Sequence, residues 1–158
     1  MASFPKRTCT QVLLALVLLL GLSPPAAHAG APRVVAAQSA DFVQQVVNLT
    51  NQERARHGLP ALELDAALCN SALAHSQDMA DNDFFSHTGS NGSTVDQRVR
   101  AAGYAPLWAY GENIAAGQLS PEEVVKAWMN SEGHRANILS PHYEHIGVGY
   151  VHKPGTTY

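Results

Sequence analysis

Apolar positions recur along the chain in two rhythms, broken by turn-forming residues. Phe42, Val46 and Leu49 are spaced by four and three, with Val43 and Val47 beside them, which predicts an apolar helical stripe. Ser39 or Asp41 supplies its N-cap, Arg54 and Arg56 suit its dipole, and His57-Gly58 with Pro60 beyond ends it. Ahead of it, Gly30 to Ala40 carries no strong pattern and reads as a flexible lead-in. Leu62 and Leu64 flank Glu63 in a short extended connection, and Asp65 caps a second helix from Ala66 to Asn82. Leu68, Ala72, His75 and Met79 share one face of that helix, and its alanines predict close helix packing. Thr94 and Gln97 form a capping box for a helix from Val95 to Ala102, ended by Gly103. Ser120-Pro121-Glu122-Glu123 opens another, with Val124, Val125, Trp128 and Met129 on its buried side. Gly133 is the expected stop, which sets His134 on a connector where the chain reverses. Tyr110 to Ala115 reads as a loop or short strand. Ile146 to Val151 reads as a strand whose glycines imply close approach by another backbone. With helices first and a strand late, and no internal repeat, the pattern predicts a single α+β domain.

The start of the chain changes this picture. Lys6 and Arg7 precede the apolar run Val12 to Leu22, and Ala27-His28-Ala29 follows Pro24 and Pro25. That order is an export leader over residues 1–29 with a small-residue cleavage site, and the run is short for a membrane span. It leaves 30–40 as the lead-in and 41–158 as the folded domain, with no transmembrane anchor after cleavage and a secreted, extracellular or periplasmic destination. Of ten basic residues the leader takes two, against thirteen acids elsewhere, so the remainder is more acidic than the whole chain's −3. No basic stripe is present, which argues against nucleic acid as a partner. Cys9 leaves with the leader, so Cys69 has no intrachain disulfide partner and reads as a small buried residue.

Candidate chemistry is sparse. His87 and His134 are far apart in the chain, and histidine is the usual neutral ligand for zinc. Neither H-E-x-x-H nor CxxC occurs, so spacing alone leaves a structural hydrogen bond ahead of metal binding or catalysis. Glu112, set among apolar residues, needs a histidine N–H, an arginine or a metal if it is buried. His75, on an apolar face, reads as a core histidine bonded to a carbonyl. Asp81 and Asp83 lack the spacing and closing glutamate of a calcium loop. Asn48-Leu49-Thr50 and Asn91-Gly92-Ser93 match a glycosylation pattern by chance, and His142 and His145 read as surface residues.

Taken in order, Asn51-x-x-Arg54, Leu62-x-x-Asp65-x-x-Leu68, Phe85-Ser86-His87, Gly111-Glu112-Asn113-Ile114, Trp128, Gly133-His134-Arg135-x-Asn137-Ile138-Leu139 and Ile146-Gly147-Val148-Gly149-Tyr150 resemble the CAP superfamily, or SCP domain, in its compact bacterial secreted form. The resemblance runs from about Phe42 to Val151. It implies a three-layer α-β-α sandwich around a small antiparallel sheet. It also implies a cleft in which His87 and His134 hold a divalent ion such as zinc, with Glu112 as a supporting or catalytic acid. The family's second glutamate falls on Ser131, which puts acid–base chemistry in doubt; Glu132, next to it, points elsewhere if Ser131 is helical. The family's final strand, after the Pro154-Gly155 turn, is missing, which predicts an unpaired sheet edge along residues 146–151 and a less stable domain. The resemblance implies two functions as expectations. One is an extracellular binding module for a lipid, a cell-wall component or a protein. The alternative is a metal-assisted, peptidase-like hydrolase using the same cleft.

Overall fold

Asn51 ties the first helix to the extended segment at Leu62. Its amide donates to Leu62 O at 3.0 Å and accepts from Leu62 N at 2.8 Å, pairing as a neighbouring strand would. In the computed structural model the described residues are 10–18 and 31–157. Helix α1 spans Ala31–Arg56, strand β2 Glu63–Leu64, and helix α2 Ala66–Asn82. Asp65 caps α2 as expected, accepting from Leu68 N at 2.9 Å. Helix α3, Val95–Ala101, has the expected box, in which Gln97 Oε1 accepts from Thr94 N at 3.0 Å. Strand β3 is Ala109–Ala116, and helix α4, Pro121–Met129, starts on Ser120 Oγ, which accepts from Glu123 N at 3.2 Å. Helix α5 is Glu132–Ile138 and strand β4 His145–His152.

Two local expectations are corrected. Helix α1 begins at Ala31, inside the supposed lead-in. Residues 31–40 contain no glycine, and Pro32 lies in the first turn, where proline is tolerated. Asp41 therefore sits within the helix, accepting from Gln45 Nε2 at 2.8 Å, and does not cap it. Gly133 is not a helix stop either. The break falls at Asn130 and Ser131, and both Gly133 and His134 belong to α5.

The sheet has the order β2-β4-β1-β3, where β1 is Thr10–Leu18. Its three ladders are parallel, where an antiparallel sheet was expected. The physical reason is β1. It runs between β3 and β4, pairing Thr10 to Val17 with Ala109 to Ala116 and Gln11 to Leu18 with His145 to His152. The expected unpaired edge along 146–151 is thereby limited to the β2 side, where pairing stops at Ile146. Among the described residues no strand follows β4. Of the expected leader only Thr10–Leu18 is described; its basic start and its cleavage site lie outside the described residues. A continuous apolar run reads alike as an export segment and as a strand buried on both faces of a parallel sheet, and periodicity does not separate them.

Helices cover both faces. On one, Val46 and Val47 of α1, Val124, Val125 and Trp128 of α4 and Ile138 of α5 form a core with Ile146 and Val148. On the other, α2 lies against the alternate positions of β4. A Cβ on Gly147 would meet Leu68 C at 2.2 Å, and one on Gly149 would meet Leu73 N at 2.2 Å, so the strand's glycines let two backbones touch, as their sequence implied. Arg54 is in the last turn of α1, where its charge suits the dipole as expected, and it is fully buried in the opposite layer. It donates to Pro60 O at 2.9 Å, to Ile138 O and Ser140 O at 2.8 Å each, and to Tyr143 O at 3.3 Å.

Gly149→Ala is expected to force α2 off the sheet, at a cost of about 3 kcal/mol, the upper end of overpacking losses. Thermal unfolding checks this, with Gly133→Ala, which meets nothing within 4 Å, as a near-neutral control.

Candidate functional site

β3 lies at the end of the sheet, and α4 and α5 fasten to it through side chains. Trp128 Nε1 donates to Ile114 O at 3.2 Å, and Asn137 Nδ2 donates to Glu112 O at 3.3 Å and to Asn113 Oδ1 at 2.8 Å. Asn113 Nδ2 in turn donates to His134 O at 3.1 Å. Gly111 is required here because a Cβ would lie 2.7 Å from both Asn137 Oδ1 and Tyr143 OH. The Gly111-Glu112-Asn113-Ile114 and His134-to-Asn137 motifs are thus the two halves of one hydrogen-bonded joint.

Glu112 projects from this joint with its side chain only 3% exposed. Its Oε2 accepts from His87 Nδ1 at 2.7 Å, and its Oε1 from Arg98 Nη2 at 2.7 Å. Of the three partner types expected for a buried glutamate it has two, a histidine and an arginine. Sequence reasoning missed Arg98. Only the burial of Glu112 pointed to an arginine, and nothing in the spacing said which. Arg98 Nη1 also donates to Ser93 O at 2.8 Å and to His87 O at 3.1 Å, so it holds both the carboxylate and the segment carrying the histidine.

A carboxylate only accepts, so the hydrogen on neutral His87 is at Nδ1 and the lone pair is at Nε2, on a side chain 54% exposed. His134 repeats the pattern at α5, with Nδ1 2.8 Å from Ser131 Oγ. With the hydrogen on that Nδ1 and the hydroxyl accepting it, the Nε2 lone pair is the one left for another partner. Ser131 is the non-helical N-cap residue of α5, at φ −110° and ψ 124°. Where the resemblance led one to expect a second glutamate, Ser131 instead places its hydroxyl against the ring, while Glu132 is exposed in the first turn of α5. Burial first, and then the nearby charge of His87, hold the His134 ring below its ordinary pKa. His87 is on the connector after α2 and His134 on α5, and neighbouring residues of β3, Glu112 and Asn113, bond to one each.

Other candidates sit apart from the pair. His75 is buried with Nε2 2.9 Å from Ser86 O, a core histidine as expected, and it anchors the residue before His87. His145 Nδ1 is 2.8 Å from Tyr104 OH, and His142 is exposed. Asp83 ends α2 in the left-handed conformation and accepts from Thr157 N at 2.7 Å, which makes this stretch a turn. Cys69 is half-buried, and burial pushes its thiol up from its ordinary pKa. Among the described residues no group of three or more histidine, cysteine, aspartate and glutamate side chains is placed to hold a metal. His87 and His134, each held through Nδ1, are the residues that could offer Nε2 to an ion, whose remaining positions would come from solvent or ligand. Glu112 stands behind His87 and is not a third ligand.

This fold and site define a CAP-type domain. Residues 47–158 match the model of the CAP family, the cysteine-rich secretory protein family, and the chain belongs to it. It is 52% identical over 110 residues to the uncharacterized protein YkwD of Bacillus subtilis, an alignment covering 70% of this chain and 42% of that protein. It is 38% identical over 110 residues to the uncharacterized membrane protein YlbC of the same organism, covering 70% and 32%. The chain therefore spans less than half the length of the curated relatives it matches. An extracellular protein containing an SCP domain from Bacillus anthracis, solved by crystallography, superposes with a TM-score of 0.73 at 36% identity, covering 82% of this chain and 42% of that one. No helix among the described residues is long and apolar enough to cross a membrane.

These contacts yield two predictions. Arg98→Leu leaves the Glu112 carboxylate buried without its cation and is expected to cost about 3 kcal/mol, read by urea unfolding. The second concerns pH. Burial, before any other cause, lowers the His75 pKa, and His134 shifts the same way. The unfolded chain takes up these protons near pH 6.5, before the folded chain does, so stability falls as pH drops below about 6.5. The urea midpoint should decline there, and His75→Gln should flatten part of the decline.

Proposed function

We propose that this chain is an extracellular binding module whose His87 and His134 hold one divalent ion, zinc among those the ligand chemistry suits. The single observation carrying this reading is that each imidazole is tethered through Nδ1, to Glu112 and to Ser131, which leaves Nε2 for a ligand. Carboxylate backing of a ligating histidine fixes its tautomer and raises its basicity. The depressed pKa of His134 keeps that ring neutral, the form that ligates, at ordinary pH. When bound, the ion supplies positive charge and open coordination positions for oxygen atoms of a lipid, a cell-wall component or a protein.

A metal-assisted hydrolase is less well supported by the same residues. As a general base Glu112 is poorly placed, because its side chain is only 3% exposed and an arginine bonded to one oxygen stabilises its charged form. Ser131 in the second acid's place provides no replacement, and two ligands are fewer than the three usual at catalytic zinc.

Calorimetry with zinc at neutral pH tests the proposal. One ion per chain is expected, with binding abolished in His87→Ala and in His134→Ala. Glu112→Gln should weaken it by about 10- to 100-fold. No binding, or binding indifferent to both histidines, removes the site from the explanation. Cleavage of a peptide library by the zinc-loaded chain would favour the hydrolase.

A further inference from the structure

Three aromatic side chains are exposed among the large hydrophobics of the described residues: Phe85 at 39%, Trp108 at 70% and Tyr110 at 47%. Their placement is not scattered. Phe85 is two residues before His87, Trp108 is four and Tyr110 two before Glu112, and His87 and Glu112 are bonded to each other. The two segments that carry every one of these exposed rings are therefore pinned together at the candidate site.

Each exposed ring has packed neighbours. Leu107 packs against the cluster of Leu68, Ala72, Val99 and Tyr104, and Ala109 against the main core, while Trp108, at the bend before β3, and Tyr110, near the strand's start, stay exposed. In the second segment Phe84 packs inward with Met79 and Ile114, and Phe85 takes the outward position. Exposed aromatics grouped beside a polar cleft mark an interaction surface, because their burial on binding gains much area at little conformational cost.

We infer that Trp108, Tyr110 and Phe85 form a stacking platform for a neutral saccharide chain whose hydroxyl and amide groups reach the His87–His134 cleft. This deepens the binding-module reading and rests on it. A pyranose ring has a flat face of C–H bonds bordered by hydroxyls, which matches rings interrupted by polar groups such as Ser86 and His87. An acyl chain needs apolar continuity, which those residues break. Charge points the same way. Residues 84–97 and 104–118 contain no lysine or arginine, and Arg98 is committed to Glu112, so in the metal-free chain the two segments themselves offer no basic side chain to a phosphate or an anionic bilayer.

The chain has two tryptophans, of which Trp128 is 2% exposed. Acrylamide therefore quenches chiefly Trp108, and its shielding reports occupancy of the platform. A hexamer of N-acetylglucosamine is expected to shield Trp108 in the metal-free chain, and Tyr110→Ala to weaken that binding by about tenfold. By calorimetry Trp108→Phe should retain most of the binding and Trp108→Ala should lose it. Unchanged Trp128 emission and thermal midpoint confirm that the variants fold. The inference is overturned by absence of shielding, by shielding indifferent to Tyr110→Ala, or by shielding from phosphatidylglycerol vesicles and not from the saccharide. Zinc binding without saccharide shielding sinks this inference alone. Shielding in a chain that binds no zinc sinks the metal reading and leaves the platform.

Discussion

A buried guanidinium holds one side of this domain together. Arg54 has no access to solvent, and its hydrogen-bond partners among the described residues are backbone carbonyls, at 60, 138, 140 and 143. Burial lowers its pKa, the signature of a charge taken out of water. Geometry offsets that cost. Ile138 and Ser140 lie at the C-terminal end of α5, where unsatisfied carbonyls gather partial negative charge, and a planar guanidinium meets several of them in fixed directions. Lysine, with one compact charge, would not span the same set. The end of α1, the turn at Pro60, the end of α5 and the approach to β4 are therefore mutually positioned by one side chain. The helix that carries His134 is among the parts so placed.

From that anchor the order passes to the edge of the sheet. Trp128 and Asn137 donate to carbonyls of β3, so the terminal strand meets helices where it would otherwise offer unpaired groups. Asn113 ties the same strand to His134. Glu112, one residue earlier, turns to the other face of β3 and meets Arg98 and His87. Neighbouring residues of a strand point oppositely, so Glu112 and Asn113 serve the two histidines from opposite sides of the same strand. The site is a consequence of strand geometry as much as of the imidazoles.

Features that depend on near neighbours were legible in the sequence. Asp65, Ser120-Pro121 and the Thr94–Gln97 box announce helix starts because a cap is satisfied within three or four residues. Gly147 and Gly149 announced a close approach because a missing side chain in a strand has few other uses. Arg54 and Arg98 were not legible, since their partners lie far along the chain and no local pattern distinguishes a clamp from a solvated charge. Gly133 misled for the opposite reason: glycine marks helix ends often enough that its place inside α5 overrode a sound local signal. The pairing of His87 with Glu112 came from the ordered set of motifs and not from spacing. Once Glu112 was taken as buried, physical chemistry specified the kinds of partner it has.

The one stretch that local reading described two ways is Thr10–Leu18. It is apolar from Val12 on, which suits an export leader and a strand covered on both faces equally well, and a single molecule cannot use it for both at once. Among the described residues β1 is the sole link between β3 and β4, which otherwise stand about two strand spacings apart, close to 10 Å. Without an occupant, two rows of backbone N–H and C=O groups would face each other between helical layers, at a cost of several kcal/mol in unmet hydrogen bonds. The requirement is for a strand in that position and not for its direction: parallel and antiparallel ladders share the same spacing. The turn at Gly155, with φ of 88°, starts the chain back from β4, and Thr157 is held there by Asp83. The parallel β1 meets that constraint here, pairing with β3 on one side and with β4 on the other.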